Sequence, residues 1–287
     1  MKPVGFTLAG VLGLALAACA PEAGDSGETA QAEATTNAAL DAVLADARRD
    51  EDRARDTFRN PAETLTFFEV GADDTVIEYA PGGGWYTRIL APYLSEEGGY
   101  IGVGFAPEGI DALSPEFAAR VREGGENFAA NWSEQLGIPA EKLPFHFGNA
   151  IPEDLNGTVD RVLIVRMMHN LIRWGIADAE VDALAATLKP DGLLGVVQHR
   201  AKADAPDDYV DGNRGYLKQD ELIAYFEGRG FELVGTSEVN ANPSDTADYE
   251  SGVWTLPPSY ALGDEDRETY EAIGESDRMT LLFRRAE

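Results

Sequence analysis

Cysteine is nearly absent. The 287-residue chain holds one, Cys19, so no intramolecular disulfide is possible. Histidine is almost as scarce, with His146, His169 and His199 the only three. No H-x-x-x-H or H-E-x-x-H spacing occurs, so zinc held by these histidines and Glu78 would have to assemble across separate strands, and no metal is expected. Positive charge is also short: 23 Lys and Arg stand against 51 Asp and Glu, a net charge of −28. Such a surface repels phosphate backbones, which excludes nucleic acid as the expected partner and argues against charge-driven docking on anionic lipid. The chain has no Gly-Lys-Ser/Thr of a phosphate loop and no G-x-S-x-G hydrolase elbow.

What is present begins with an apolar run, VGFTLAGVLGLALAA (4–18), behind Lys2. It is short of the ~20 residues of a comfortable membrane span. It ends in Leu16-Ala17-Ala18-Cys19, which resembles the lipobox of bacterial lipoproteins. That resemblance implies a signal peptide over 1–18, lipidation of Cys19, and a protein exported and lipid-anchored to the cell envelope. Ala20 in place of Asp points to the outer membrane where the cell has one. An ordinary cleaved signal peptide or an uncleaved anchor is the alternative. Residues 19–39 are small, polar and acidic, and read as a flexible tether. One domain, 40–287, follows; 44% hydrophobic and 26% charged residues suffice for a full-sized core.

Leu40, Val43, Leu44 and Ala47 have helical spacing, and 48–59 continues them as a charged face. Asn60-Pro61-Ala62-Glu63 reads as a helix start with Asn60 as cap. Short apolar runs then alternate with helical stretches. Strands are expected at 75–79, 100–105, 143–150, 160–167, 193–199, 231–239 and 279–285, with helices at 85–94, 181–188 and 217–230 and a helical or irregular stretch at 115–136. The run at 160–167 is apolar throughout, as in a central parallel strand. Strands separated by helices imply right-handed crossovers and a parallel sheet. The last two strands lack a clear helical crossover, so one of them is expected antiparallel. The polar segment 242–277 between them, with Tyr249, Trp254 and Tyr260, is either a partial lid or a surface excursion.

The stretch VIEYAPGGGWYT (76–87) turns an apolar run into a glycine loop. The third glycine of G-x-G-x-x-G is replaced by Thr87, which disfavours a dinucleotide. An acid closing the first strand, with small residues at +2, +4 and +6, matches instead the loop of class I methyltransferases: Glu78, then Ala80, Gly82 and Gly84. This stretch, together with 55–68, 160–174, 188–200, 215–231 and 276–285, resembles a bacterial family of class I S-adenosylmethionine-dependent methyltransferases over about residues 48–287. The resemblance implies an α/β, Rossmann-like fold: a mostly parallel seven-stranded sheet, helices on both faces, one antiparallel strand near the C-terminus. It implies S-adenosylmethionine as cofactor, held by Glu78, Ala80, Gly82, Gly84, Trp85, Phe105, Asn149, Ala150 and Arg166. Glu78 either contacts the cofactor or only orders the loop. Trp85 and Tyr86 either wall the pocket or pack beneath it.

Two positions depart from the family pattern. The second strand ends Val103-Gly104-Phe105-Ala106, without the acid that binds ribose hydroxyls. Such an acid makes two charged hydrogen bonds worth ~1.5–3 kcal/mol each. The third ends in Asn149 in place of Asp, and its carbonyl oxygen can still accept from an adenine amine. His169-Asn170 follows the fourth strand, where this fold class places acceptor-binding or base residues. They are the catalytic candidates, His169 as a base near neutral pH, with a histidine merely bonded to a loop carbonyl as the alternative. His199 is a weaker candidate of the same kind. Arg166 and Arg173 either bind an acidic acceptor or pair with surface carboxylates. The expected function is methyl transfer to a small-molecule acceptor. The rival is a non-catalytic, methyltransferase-like ligand-binding envelope lipoprotein.

Overall fold

The computed structural model describes residues 38–286. The expected signal peptide, Cys19 and the tether up to residue 37 lie outside the described residues. A helix covers 38–44. None of the described helices is long and apolar enough to cross a membrane.

Seven strands form one sheet: β1 (Thr75–Tyr79), β2 (Gly99–Gly104), β3 (Phe145–Phe147), β4 (Val159–Val165), β5 (Leu188–His199), β6 (Phe231–Ser237) and β7 (Arg278–Arg285). Their order is β3-β2-β1-β4-β5-β7-β6. The first five run parallel, and β7 is antiparallel to both β5 and β6. This is the mixed sheet expected from the sequence. Chain order reverses between β1 and β4, and ligands of open α/β sheets gather outside the carboxyl ends at such a point.

Period-two alternation sends each strand's side chains to both faces. Ile77, Val162 and Ile164 enter one apolar core, and Val76 and Leu163 the other. Each fully buried aliphatic side chain of this kind contributes about 1.5–3 kcal/mol. The covering helices are α1 (Pro61–Phe67), α2 (Thr87–Leu94), α3 (Pro115–Glu126), α4 (Phe128–Leu136), α5 (Met168–Arg173), α6 (Ala177–Thr187), α7 (Gln219–Glu227) and α8 (Arg267–Ile273).

Several local expectations need correction. The charged stretch 48–59 is not one helix. It is broken into turns at Ala47–Arg49, Arg53–Arg55 and Asp56–Arg59, opened by the Asp46 side chain accepting from Arg48 N–H. Nor is it solvated throughout: Arg49 and Arg59 are buried. Asn60 does not cap α1. It sits in the left-handed region at φ 38°, and its amide donates to the Val239 carbonyl at 2.6 Å. The stretch 115–136 is two helices parted at Asn127. The third strand is only three residues long, because 148–150 curls into a turn in which Gly148 packs against Glu180. The fifth begins at Leu188. The stretch 189–192, expected to end a helix, lies within it, and the β4 register jumps there.

Candidate active site

The β1 turn is built by alternate left-handed residues: Ala80 (φ 53°), Gly82 (φ 56°) and Gly84 (φ 72°). Only glycine adopts that region without a Cβ penalty, so Ala80 is held there against its preference. Gly84 answers a second demand, since a Cβ on it would lie 2.0 Å from the Trp132 ring. Below the loop, the Glu78 carboxylate accepts from Thr87 Oγ1 at 2.8 Å and Tyr100 OH at 2.7 Å. Glu78 is buried, and burial lifts its pKa to about 7 although both hydrogen bonds pull it down. It ties the start of α2 to β2 and lines neither chamber described below.

On one side of the loop lies a mainly apolar chamber of about 640 Å³. Its walls include Ala80, Gly82, Phe105, Phe128, Phe145 and Trp174, with Phe105 packed on Trp174 at 4.8 Å. Helices α3 and α4 cover it. Gly125 lets α3 approach closely, since a Cβ there would stand 2.6 Å from both Phe145 and Phe147. Gly104 ends β2, and its missing side chain has a cause: a Cβ would meet Phe145 Cζ at 2.7 Å. Phe145 fills that place. The polar groups facing the chamber are Asn131 and Gln135 of α4, Arg120 and Asn170.

On the other side lies a more polar chamber of about 350 Å³, sharing Ala80, Pro81, Gly82, Met167 and Asn170 with the first. His169, His199, Arg55, Arg59 and Arg166 line it. The Gln198 amide donates to the Gly215 carbonyl at 2.7 Å, which turns Gln198 Oε1 toward His169 Nδ1 at 3.3 Å. Nδ1 is therefore the protonated nitrogen and Nε2 keeps the lone pair. Burial, opposed by that bond and reinforced by Arg173 and Arg166, lowers the His169 pKa to about 4. His169 is thus neutral at pH 7 with Nε2 free to accept, but the lowered pKa makes it a weaker base than the near-neutral one expected from the sequence. His199 bonds Ser276 Oγ at 2.6 Å and is also held neutral, chiefly by burial.

The sequence candidates are distributed as follows. Ala80, Gly82, Phe105 and Asn170 line the apolar chamber; Ala80, Gly82, Trp85, Arg166, His169 and Asn170 line the polar one. Trp85 is buried there with the Arg59 guanidinium 4.8 Å above its ring. Gly84 meets Trp132 and lines neither chamber. Asn149 and Ala150 are exposed on the turn after β3 and also line neither. Arg173 packs over Trp174 and Trp254. Val253 and Trp254, from the 242–277 segment, wall the polar chamber. Among the described residues no group of three His, Cys, Asp or Glu side chains could hold a metal.

Sequence reasoning missed Arg55, Arg59, Glu275 and Arg278. Arg55 Nε and Arg59 Nε donate to Glu275 at 2.6 and 3.1 Å, and Arg278 pairs with the same carboxylate. Burial alone would raise the Glu275 pKa, but Arg278, Arg59 and Arg55 hold it at about 2.

No family model matches the sequence, and no curated protein does. Solved structures resemble it in the path of the chain. A SAM-dependent methyltransferase from Aquifex aeolicus is 18% identical, with 65% of this chain and 87% of that one covered and a TM-score of 0.48. The YcgJ protein of Bacillus subtilis is 15% identical, covering 80% and 99%, with a TM-score of 0.47. The cyclase SpnF is 13% identical, covering 79% and 80%, with a TM-score of 0.46.

Proposed function

We propose that the chain is an S-adenosylmethionine-dependent methyltransferase acting on a small-molecule acceptor. The observation that carries this is the pair of chambers meeting at the glycine loop, one apolar and nucleoside-sized, the other holding a neutral histidine. The apolar walls suit an adenine ring, with Phe105 and Phe145 offering flat contact. Gly82, where a Cβ would have nothing closer than the Ala80 carbonyl at 3.8 Å, lines both chambers. Without an acid at Gly104, the Asn131 and Gln135 amides are the groups that would hold the ribose hydroxyls. Bound there, S-adenosylmethionine supplies an electrophilic methyl group on a sulfonium. His169 Nε2 accepts the hydrogen bond of an oxygen or nitrogen acceptor and, as a weak base, takes its proton only once that atom has gained the methyl group and become acidic; Gln198 holds the ring in the tautomer that allows it. Asn170, facing both chambers, orients the acceptor.

The test is calorimetric titration of the full-length protein with S-adenosylhomocysteine. Micromolar binding is expected. In a turnover assay His169→Ala should lower kcat by about 10²-fold or more while product affinity stays the same. No binding at millimolar concentration would sink the methyl-transfer reading. A second reading, a methyltransferase-like protein that only binds a ligand, is favoured by Phe145 standing in the place of the ribose acid.

Location belongs to the same proposal. The Leu16–Cys19 motif supports export and lipid attachment through Cys19. Cys19→Ser should move the protein from the membrane to the soluble fraction of its host. Unchanged membrane attachment in that variant would remove the lipid anchor.

A further inference from the structure

The polar chamber carries a charge imbalance that the fold leaves uncompensated. Three guanidinium groups, Arg55, Arg59 and Arg278, pair with one carboxylate, Glu275, and a fourth, Arg166, lines the chamber beside Arg55 and Arg59, so these five groups carry a surplus of three positive charges in a chain whose net charge is −28. Glu275 is already fully engaged. One of its oxygens takes Arg55, the other takes Arg59 and Arg278. Three donors nevertheless remain buried without a partner: Arg55 Nη2, Arg59 Nη2 and Arg278 Nε. Arg59 is only 4% exposed and lines the chamber. Buried polar groups are ordinarily satisfied, and buried guanidinium donors all the more so.

Arg166 adds a separate observation. It ends β4 in the left-handed region at φ 55°, where a side chain with a Cβ is strained, and it lines the chamber. The charges that act most strongly on it are those of Arg59 and Arg278, then Glu275, which opposes them, and Arg55. Strained backbone of this sort persists where the surroundings over-determine it, often at ligand clamps. Arg88, on the same chamber wall, shows the contrast: Asp52 neutralises it through two bonds of 2.5 and 2.8 Å.

We infer that this arginine chamber is an anion subsite, and that it receives a carboxylate or phosphate group of the methyl acceptor. The assignment to the acceptor rests on the methyltransferase reading; the anion subsite does not. Planar guanidinium forks match both anions, and charge-assisted bonds of this type are the strong ones. The acidic surface does not prevent entry. At physiological salt its field is screened within ~8 Å, so inside the chamber the adjacent arginines dominate. The neutral His169 on the same wall then lies beside the acceptor whose proton it would take.

The probe is inorganic phosphate, titrated into the full-length protein at constant ionic strength against a chloride control. Phosphate should bind the wild type, and Arg166→Gln should weaken it at least tenfold. Arg120→Gln, on the apolar chamber, should leave it unchanged. Phosphate that binds no better than chloride, or equally well to Arg166→Gln, overturns the subsite. The cofactor's own carboxylate is the other source of an anion, so the titration is repeated with saturating S-adenosylhomocysteine. Undiminished phosphate binding assigns the site to the acceptor. Competition, together with an Arg166→Gln loss for S-adenosylhomocysteine but not for methylthioadenosine, which lacks the carboxylate, overturns that assignment. If phosphate binds and S-adenosylhomocysteine does not, the methyl-transfer reading and the acceptor assignment fall together and the anion site stands.

Discussion

Replacing Glu275 with Gln should destabilise the protein by about 3–5 kcal/mol, because it leaves buried guanidinium groups without their only carboxylate. For a domain of this size that is a fall in Tm on the order of 10 °C. Glu275 is 3% exposed, and it joins Arg55 and Arg59, ahead of the sheet, to Arg278 in its seventh strand. Linkage gives a figure of similar size. The folded pKa of about 2, against an ordinary 4.5, corresponds to roughly 3 kcal/mol. The sign follows from a depressed carboxyl: the contribution is complete above about pH 4.5 and is lost as pH falls toward about 2. The wild type should therefore lose stability through that window more steeply than Glu275→Gln. Removing one of the stranded charges as well, in Glu275→Gln/Arg278→Met, should recover part of the loss, since the two sites are in contact and do not act additively. Thermal melts at pH 7 and pH 3.5 decide the matter. A Glu275→Gln melt within 2 °C of wild type at pH 7 would show that the cluster does not depend on this carboxylate.

Gly84→Ala should be the second large effect, about 2–5 kcal/mol. About 1–2 kcal/mol comes from a Cβ in the left-handed region at φ 72°. Another 1–3 kcal/mol, roughly, comes from overpacking against Trp132, whose ring lies 2.0 Å from the new atom. The neighbours separate the two contributions. Gly82→Ala, at φ 56° and with its nearest contact at 3.8 Å, should show the backbone cost alone. Gly83→Ala has nothing within 4 Å and should stay within about 0.5 kcal/mol of wild type. Because Trp132 lines the apolar chamber, Gly84→Ala should also weaken ligand binding there. Denaturant titration of the three variants gives the ranking; equal losses at 83 and 84 would mean that the loop is not packed on α4 in this way.

The sheet was legible in the sequence because its information is local. A run such as VLIVR after a polar break has only one way to bury both faces, and it became β4 between two cores. The glycine loop was legible for the same reason, since its φ values are demands on single residues. Helix starts were less so. Asn60 had a cap residue's chemistry, but its amide bonds Val239 across the fold, a partner no window around residue 60 contains. His169 was singled out by its position after β4. Its tautomer, however, depends on Gln198, 29 residues further on, whose own orientation is fixed by Gly215.

By itself the sequence determined the seven strands in their order along the chain and the glycine loop after the first, because apolar periodicity and backbone preference act within a few residues; the short helices at Met168–Arg173 and Arg267–Ile273 escaped it. It also fixed that the β2 end would carry no acid. The tertiary structure decided what stands there instead, Phe145 from a neighbouring strand, because side chains compete for a volume that only packing defines. It also decided which arginines come together. Arg55 lies 220 residues from Glu275 in the chain. In the sequence both look like members of a charged surface. Charge acts through space and through the loss of water, and both are set only when the chain has closed around them.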